Sequence, residues 1–139
     1  MKRVVLDTNV TIAALFWKGY PRVVYDLIRK RKLSMLLSKD MEAELIRVLG
    51  YAKFGLLPNE IRPIVMNIRG NAELVEIKSR VSLITSDPTD NIFLDCAADG
   101  YADYVISGDR HLLEVGSFQN IQIAKAKEFL IKEGFVTEV

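Results

Sequence analysis

The run Arg3-Val4-Val5-Leu6-Asp7 decides how this chain folds. A short β-branched stretch reads as a buried strand, and Asp7 sets a charge where that strand leaves its sheet. Tyr104-Val105-Ile106-Ser107-Gly108-Asp109 repeats the arrangement, an apolar strand and then a carboxylate. There Gly108 permits a tight turn and Asp109 is placed to cap the helix behind it. Capping alone accounts for one such Asp; two of them at two strand ends suggest a shared site.

Outward from these two runs, short apolar stretches alternate with amphipathic ones, the pattern of a parallel α/β sheet. A loop around Gly19-Tyr20-Pro21 leads to a helix over residues 22–31. Ser34–Leu37 reads as a strand, and Ser38 as the N-cap of a helix to about Leu49, broken by Gly50 and Gly55. A helix follows over Asn59–Arg69, with Pro63 near its first turn, and then a strand over Leu74–Ile77. An Asp87-Pro88 turn opens a helix at Asn91–Asp99. Tyr104–Ser107 is a strand, Arg110–Leu113 a short helix, Ile121–Ala124 the final strand and Lys125–Lys132 the last helix. The expected fold is α/β: a three-layer α/β/α sandwich around a five-stranded parallel sheet. Such sheets gather function at the carboxyl ends of their strands.

A length of 139 residues suits a single domain spanning residues 1–139, and 50% hydrophobic with 27% charged residues is a globular composition. No apolar run reaches the roughly 20 residues of a membrane span. The apolar stretch before Asp7 is too short for a signal peptide. One cysteine, Cys96, excludes an internal disulfide, and no Cys/His cluster suggests zinc. A cytoplasmic protein is expected.

The net charge of +1 conceals an asymmetry. Residues 1–55 carry 11 Lys/Arg against 5 Asp/Glu, and residues 56–139 carry 8 against 13. Asp87, Asp90, Asp95, Asp99, Asp103 and Asp109 fall within 23 residues that contain no Lys or Arg. These acids must be solvated, paired from elsewhere in the chain, or neutralised by a cation. Helical geometry sorts three of them. Asp90 heads a core-facing row with Phe93, Leu94, Ala97 and Tyr101, whereas Asp95 and Asp99 fall on the opposite, solvated side. Glu42 and Glu44 flank the Met41, Leu45, Val48, Leu49 stripe from its two sides, and periodicity does not choose between them.

If Asp7, Asp90, Asp109 and one Glu converge, repulsion becomes large. Two like charges about 4 Å apart cost roughly 4 kcal/mol at an effective dielectric near 20. Four require raised pKa values or a bound cation. Oxygen ligands without Cys or His favour Mg2+ or Mn2+, and such ions suit phosphodiester hydrolysis.

At these residues the sequence resembles a PIN domain, and especially the VapC-like ribonuclease toxins of toxin–antitoxin systems. Val4-Val5-Leu6-Asp7-Thr8-Asn9-Val10 is similar to the family's first block. Leu37-Ser38-Lys39-Asp40-Met41-Glu42-Ala43-Glu44-Leu45 is similar to the second, and the acid before Leu selects Glu44. Asp87-Pro88-Thr89-Asp90-Asn91-Ile92-Phe93-Leu94 resembles the third, with Asp90 its acid, and Ala102–Asp109 with His111-Leu112-Leu113 the fourth. The resemblance implies a Mg2+- or Mn2+-dependent endoribonuclease with Asp7, Glu44, Asp90 and Asp109 as catalytic metal ligands. It further implies a homodimer neutralised by a small antitoxin protein.

Thr8, Asn9 and Ser107 are candidates to orient the ion or its waters. Alternatively they only satisfy a loop and a strand end. His111, the only histidine, reads as an exposed helix residue. Arg22, Arg29, Lys30, Arg31, Lys32, Lys39 and Arg110 are candidate RNA-backbone contacts, the basic run also reading as a plain solvated helix end. Lys39 and Arg110 adjoin the acids and are equally readable as counter-ions that make a metal unnecessary. Phe16-Trp17-Lys18-Gly19-Tyr20 interleaves aromatics with a cation and suits base stacking or a protein contact. The function expected is RNA phosphodiester hydrolysis. The alternative is a non-catalytic RNA- or protein-binding module on the same fold.

Overall fold

A computed structural model describes residues 1–80 and 88–137. Asp87, and with it the expected Asp87-Pro88 turn, lies outside the described residues. In chain order the elements are β1 (Lys2–Leu6), α1 (Thr8–Phe16), α2 (Tyr20–Arg29), β2 (Leu33–Leu37), α3 (Lys39–Leu49), α4 (Pro58–Gly70) and β3 (Ala72–Leu74). They continue with α5 (Asn91–Asp99), β4 (Tyr104–Ile106), α6 (Arg110–Val115), β5 (Ser117–Phe118), β6 (Ile121–Ala124) and α7 (Ala126–Lys132). Short 3-10 turns lie at Ala52–Phe54 and Pro88–Asp90.

The sheet runs β3-β2-β1-β4-β6-β5, parallel throughout except for the last pair. Its strand order reverses between β1 and β4, whose carboxyl ends are in register with Leu6 opposite Ile106. That reversal is the usual place for a ligand crevice in an open parallel sheet. β1 and β4 are central: Val4, Val5, Leu6, Tyr104, Val105 and Ile106 are all buried, as strands covered by helices on both faces must be. The α/β class with a central, mostly parallel sheet flanked by helices is therefore as expected.

Among the described residues the sheet has six strands and not five. β5 holds only two residues and pairs antiparallel with β6 across Gln119-Asn120, both at positive φ (48° and 65°). That is the backbone of a tight two-residue hairpin, too short to leave a hydrophobic period in the sequence. Nor does a bare loop connect β1 to the next helix, because α1 fills that space. Asp7 caps it, and Thr8, Val10, Thr11, Ile12 and Ala14 are buried around most of its circumference, so it lacks the polar face that periodicity detects. The expected loop at Gly19-Tyr20-Pro21 instead starts α2, with Pro21 in its first turn, and α2 ends at Arg29.

Ser38 caps α3 as expected, its hydroxyl accepting the Met41 N–H at 3.2 Å. Pro63 lies inside α4 and not in its first turn, because α4 starts at Pro58. The ring sits at an exposed position, where water can serve the carbonyl left without a donor. β3 lies at Ala72–Leu74, ahead of the expected Leu74–Ile77. Val75 and Ile77 pack against the core after the strand has ended, which moved the apolar signal downstream.

The same segment overturns the solvated reading of Asp95 and Asp99. Arg80 reaches the buried Asp95 at 3.9 Å. Asp99 accepts the N–H groups of Lys78 and Ser79 at 2.6 and 2.7 Å and the Ser79 hydroxyl at 2.6 Å. Those bonds hold its carboxyl below the usual carboxylate range. Phe93, Leu94 and Ala97 are buried as expected. Tyr101 departs from their row, since α5 stops at Asp99 and Tyr101 turns left-handed (φ 54°) with 83% of its surface exposed.

Candidate active site

The crevice at the carboxyl ends of β1 and β4 is a cavity of about 190 Å³ lined by Asp7, Thr8, Asn9, Glu44, Arg47, Val48, Thr89, Asp90, Phe93 and Asp109. All four acids singled out in the sequence line it, each delivered by a different element. Asp7 leaves β1 and caps α1, with Oδ1 accepting the Val10 N–H at 2.8 Å. Asp109 follows β4 and caps α6, with Oδ1 accepting the His111 and Leu112 N–H groups at 2.8 and 3.3 Å. Asp90 closes the 3-10 turn before α5 and makes no capping bond to that helix. Glu44 reaches in from α3, while Glu42, which periodicity did not separate from it, turns to Arg69 on α4.

Ser107 ties the two strand-end acids together. Its buried hydroxyl donates to Asp7 Oδ2 and accepts the Asp109 N–H at 2.9 Å. Asp7 is 3% exposed, and burial pushes its carboxyl above the usual carboxylate range. Ser107 and the Val10 N–H oppose that shift, and the charge on Asp109 adds to it. Asp7 is thus set against carrying its charge in this buried position.

One cation already stands in the cavity, and the sequence reading missed it. Arg47, one turn after Glu44, holds that carboxylate with Nη2 at 2.7 and 2.9 Å from its two oxygens. An i,i+3 pair on a helix is visible in sequence, yet ordinary surface pairs have the same spacing, so nothing there marks it as part of a site. The other candidate cations stay out of the site. Arg110 faces Glu114 at 3.6 Å, and Lys39 lies exposed at the start of α3, outside the cavity lining. Arg22 donates to the carbonyls of Ala14 and Leu15 at 2.6 and 3.0 Å, closing the end of α1. Arg29 pairs with Asp26 at 3.5 Å, and Lys30, Arg31 and Lys32 are exposed in the turn before β2. His111 is half-buried on α6, not exposed.

The donor set fits a hard divalent cation: four carboxylates, no thiolate or imidazole among the cavity residues, and the Thr8 hydroxyl. Thr8 Oγ1 is buried with no hydrogen-bond partner among the described residues. A buried hydroxyl of that kind is costly unless something satisfies it. Among the described residues no three His, Cys, Asp or Glu side chains stand close enough together to hold one metal ion. Each braced acid is held by the protein instead, Asp7 by Ser107, Asp109 by α6 and Glu44 by Arg47.

The family model of the PIN domain matches residues 3–111. A search of curated proteins finds no match to the chain. The matched span runs from β1 to the start of α6 and contains all four acids, Ser107 and Arg47. PIN domains are generally nucleases. Among the described residues no helix is long and apolar enough to cross a membrane.

Proposed function

The chain belongs to the PIN domain family, and from that premise we propose that it is a divalent-metal-dependent endoribonuclease, the toxin of a VapC-like toxin–antitoxin pair. It works in the cytoplasm as a homodimer and is neutralised by a small antitoxin protein. The nuclease reading is carried by one observation: Asp7, Glu44, Asp90 and Asp109, from four separate elements, line one cavity at the sheet's reversal point. The toxin reading rests on the likeness of the four sequence blocks between Val4 and Leu113 to that branch of the family.

Asp7, Glu44, Asp90 and Asp109 would hold Mg2+ or Mn2+. When bound, the ion supplies Lewis acidity for phosphate oxygens and lowers the pKa of an attacking water. The chain's own residues fix where that chemistry happens. Ser107 holds the Asp7 carboxylate and the Asp109 backbone from a single hydroxyl, and the first turn of α6 holds the Asp109 carboxylate. Thr8 offers its buried hydroxyl, and Asn9 stands exposed at the cavity wall. Arg47 faces the same space with a planar donor fork, the geometry that suits a phosphate once Glu44 turns to a cation.

The Glu44–Arg47 pair also favours a second reading, because an internal guanidinium already neutralises one acid. In that case the cavity binds RNA or a protein without cutting. Cleavage of an end-labelled mixed RNA separates the two. The assay runs with Mg2+, with Mn2+ and with EDTA, beside an Asp90→Asn control. Metal-dependent cuts absent from the control are expected. Folded protein that cuts nothing in either metal supports the binding module.

A further inference from the structure

Arg47 does not end at the acid cavity. Its guanidinium also donates to the Tyr51 hydroxyl and lies 5.6 Å from the centroid of that ring. Tyr51 opens the 3-10 turn at Ala52–Phe54, and its carbonyl accepts the Phe54 N–H at 3.0 Å. The Phe54 ring stacks on Phe16, the last residue of α1, with centroids 5.7 Å apart and planes at 16°. Phe16 in turn meets Trp17 edge-on at 6.2 Å. A row of three rings, Phe54, Phe16 and Trp17, thus lies at the end of α1, and the Tyr51 ring beside Arg47 joins it through the backbone of the 3-10 turn. It is open, with Tyr51 41% and Trp17 58% exposed.

Cations outnumber acids along this row, although Arg47 is already paired with Glu44. The two segments that build it, residues 8–25 and 45–57, carry Lys18, Arg22, Arg47 and Lys53 and no Asp or Glu. Lys53 Nζ sits 5.2 Å from the Phe54 centroid. Exposed rings interleaved with cations, continuous with a cavity suited to a phosphodiester, match single-stranded nucleic acid: bases stack on the rings while cations follow the backbone. Protein interfaces also enrich aromatic residues and Arg but are depleted in Lys, so Lys18 and Lys53 among the rings favour a nucleic acid.

We propose that the Tyr51–Phe54–Phe16–Trp17 ledge is the subsite on which unpaired bases of single-stranded RNA stack beside the phosphate held at the acid cavity. It rests on the ribonuclease reading for the identity of the strand. Tyr20, which the sequence groups with Phe16 and Trp17, is not part of the ledge; it starts α2 beneath Lys127, whose Nζ lies 5.8 Å from its ring.

Trp17 is the only tryptophan in the chain, so its fluorescence reports on the ledge directly. Wild-type protein is titrated at low salt in EDTA with a short oligouridine and, separately, with the same strand in duplex. Affinities come from the anisotropy of labelled RNA. Saturable quenching by the single strand is expected, with weak quenching by the duplex. Trp17→Ala and Tyr51→Ala should each weaken single-strand binding about tenfold, while Trp17→Phe and Tyr51→Phe keep most of it. Both positions are exposed, so these variants leave the core intact. Absent quenching, unchanged affinity in the alanine variants, or equal response to duplex overturns the proposal. So does a Trp17 spectrum that shifts with protein concentration in the absence of RNA, which would show a second copy covering the ledge. Because binding is read without metal, the two readings fail separately. RNA that quenches Trp17 but is never cut breaks the ribonuclease reading and keeps the ledge. Cleavage by a protein whose Trp17 stays silent does the reverse.

Discussion

The two ends of β1 handle charge in opposite ways. At the amino end, Arg3 is surrounded by acceptors: Glu73 through two guanidinium nitrogens at 3.2 and 2.6 Å, and the Gly100 carbonyl at 3.0 and 2.8 Å. Its N–H bonds Asp103 at 2.8 Å. The Glu73 contact raises the guanidinium's pKa and lowers that of the carboxyl, the mutual stabilisation of a closed pair. At the carboxyl end, Asp7 is buried with its pKa pushed up, and Asp109 adds to the repulsion. The first end is compensated and joins β1, β3 and the end of α5. The second keeps a buried carboxyl set against its own charge where the strand order reverses.

Changes at the two ends should therefore separate activity from stability. The largest effect is expected for Asp109→Asn or Asp7→Asn, each removing one of the four acids. RNA cleavage should fall at least about 100-fold, since even residues that only support ligands commonly cost 10–100-fold. The melting temperature should hold or rise. Equal losses of activity and stability would erase the distinction between the ends.

Gly100→Ala belongs to the other end and should show the reverse. A Cβ there would lie 2.7 Å from Leu36 Cδ1 and 2.9 Å from the Cys96 carbonyl oxygen. A loss of about 1–3 kcal/mol in urea unfolding is expected, with cleavage per folded molecule unchanged. Arg3→Ala should cost less, about 1 kcal/mol, because the guanidinium is partly solvated, and again without an effect on cleavage.

The smallest effect is in the pH dependence. The folded chain holds the Asp7 proton more tightly than the unfolded chain does, so ionised Asp7 opposes folding at neutral pH. That opposition fades as pH falls through the raised folded pKa. Asp7→Asn should therefore be at least as stable as wild type at pH 7, with the difference closing as the solution is acidified. Paired urea titrations at several pH values would measure it, and a gap that widens toward acid would contradict the assignment.

How much of this was legible in the sequence follows from what each signal requires. The strands ending at Asp7 and Asp109, helix α5 and the Ser38 cap were readable because burial, periodicity or a side-chain cap marks each within a few residues. Helix α1 was not, since a helix buried around most of its circumference has no amphipathic period. The β5 hairpin was not, because two residues cannot carry one. In the cavity, the positions of Asp7, Asp90 and Asp109 followed from strand ends and helix geometry. Glu44 needed a resemblance to separate it from Glu42, and only the three-dimensional arrangement sends one to Arg47 and the other to Arg69. Ser107 as the link between Asp7 and Asp109, and Arg47 as the cation of the site, depend on contacts that sequence spacing does not encode.

The central claim is that the carboxyl end of the sheet is built for a divalent cation, and Mn2+ binding tests it most directly. Calorimetric titration of the folded, RNA-free protein at neutral pH should give saturable binding, accompanied by a rise in melting temperature. Asp7→Asn and Asp109→Asn should each lose both. Saturable binding that survives both substitutions, or no binding by folded wild-type protein, would contradict it.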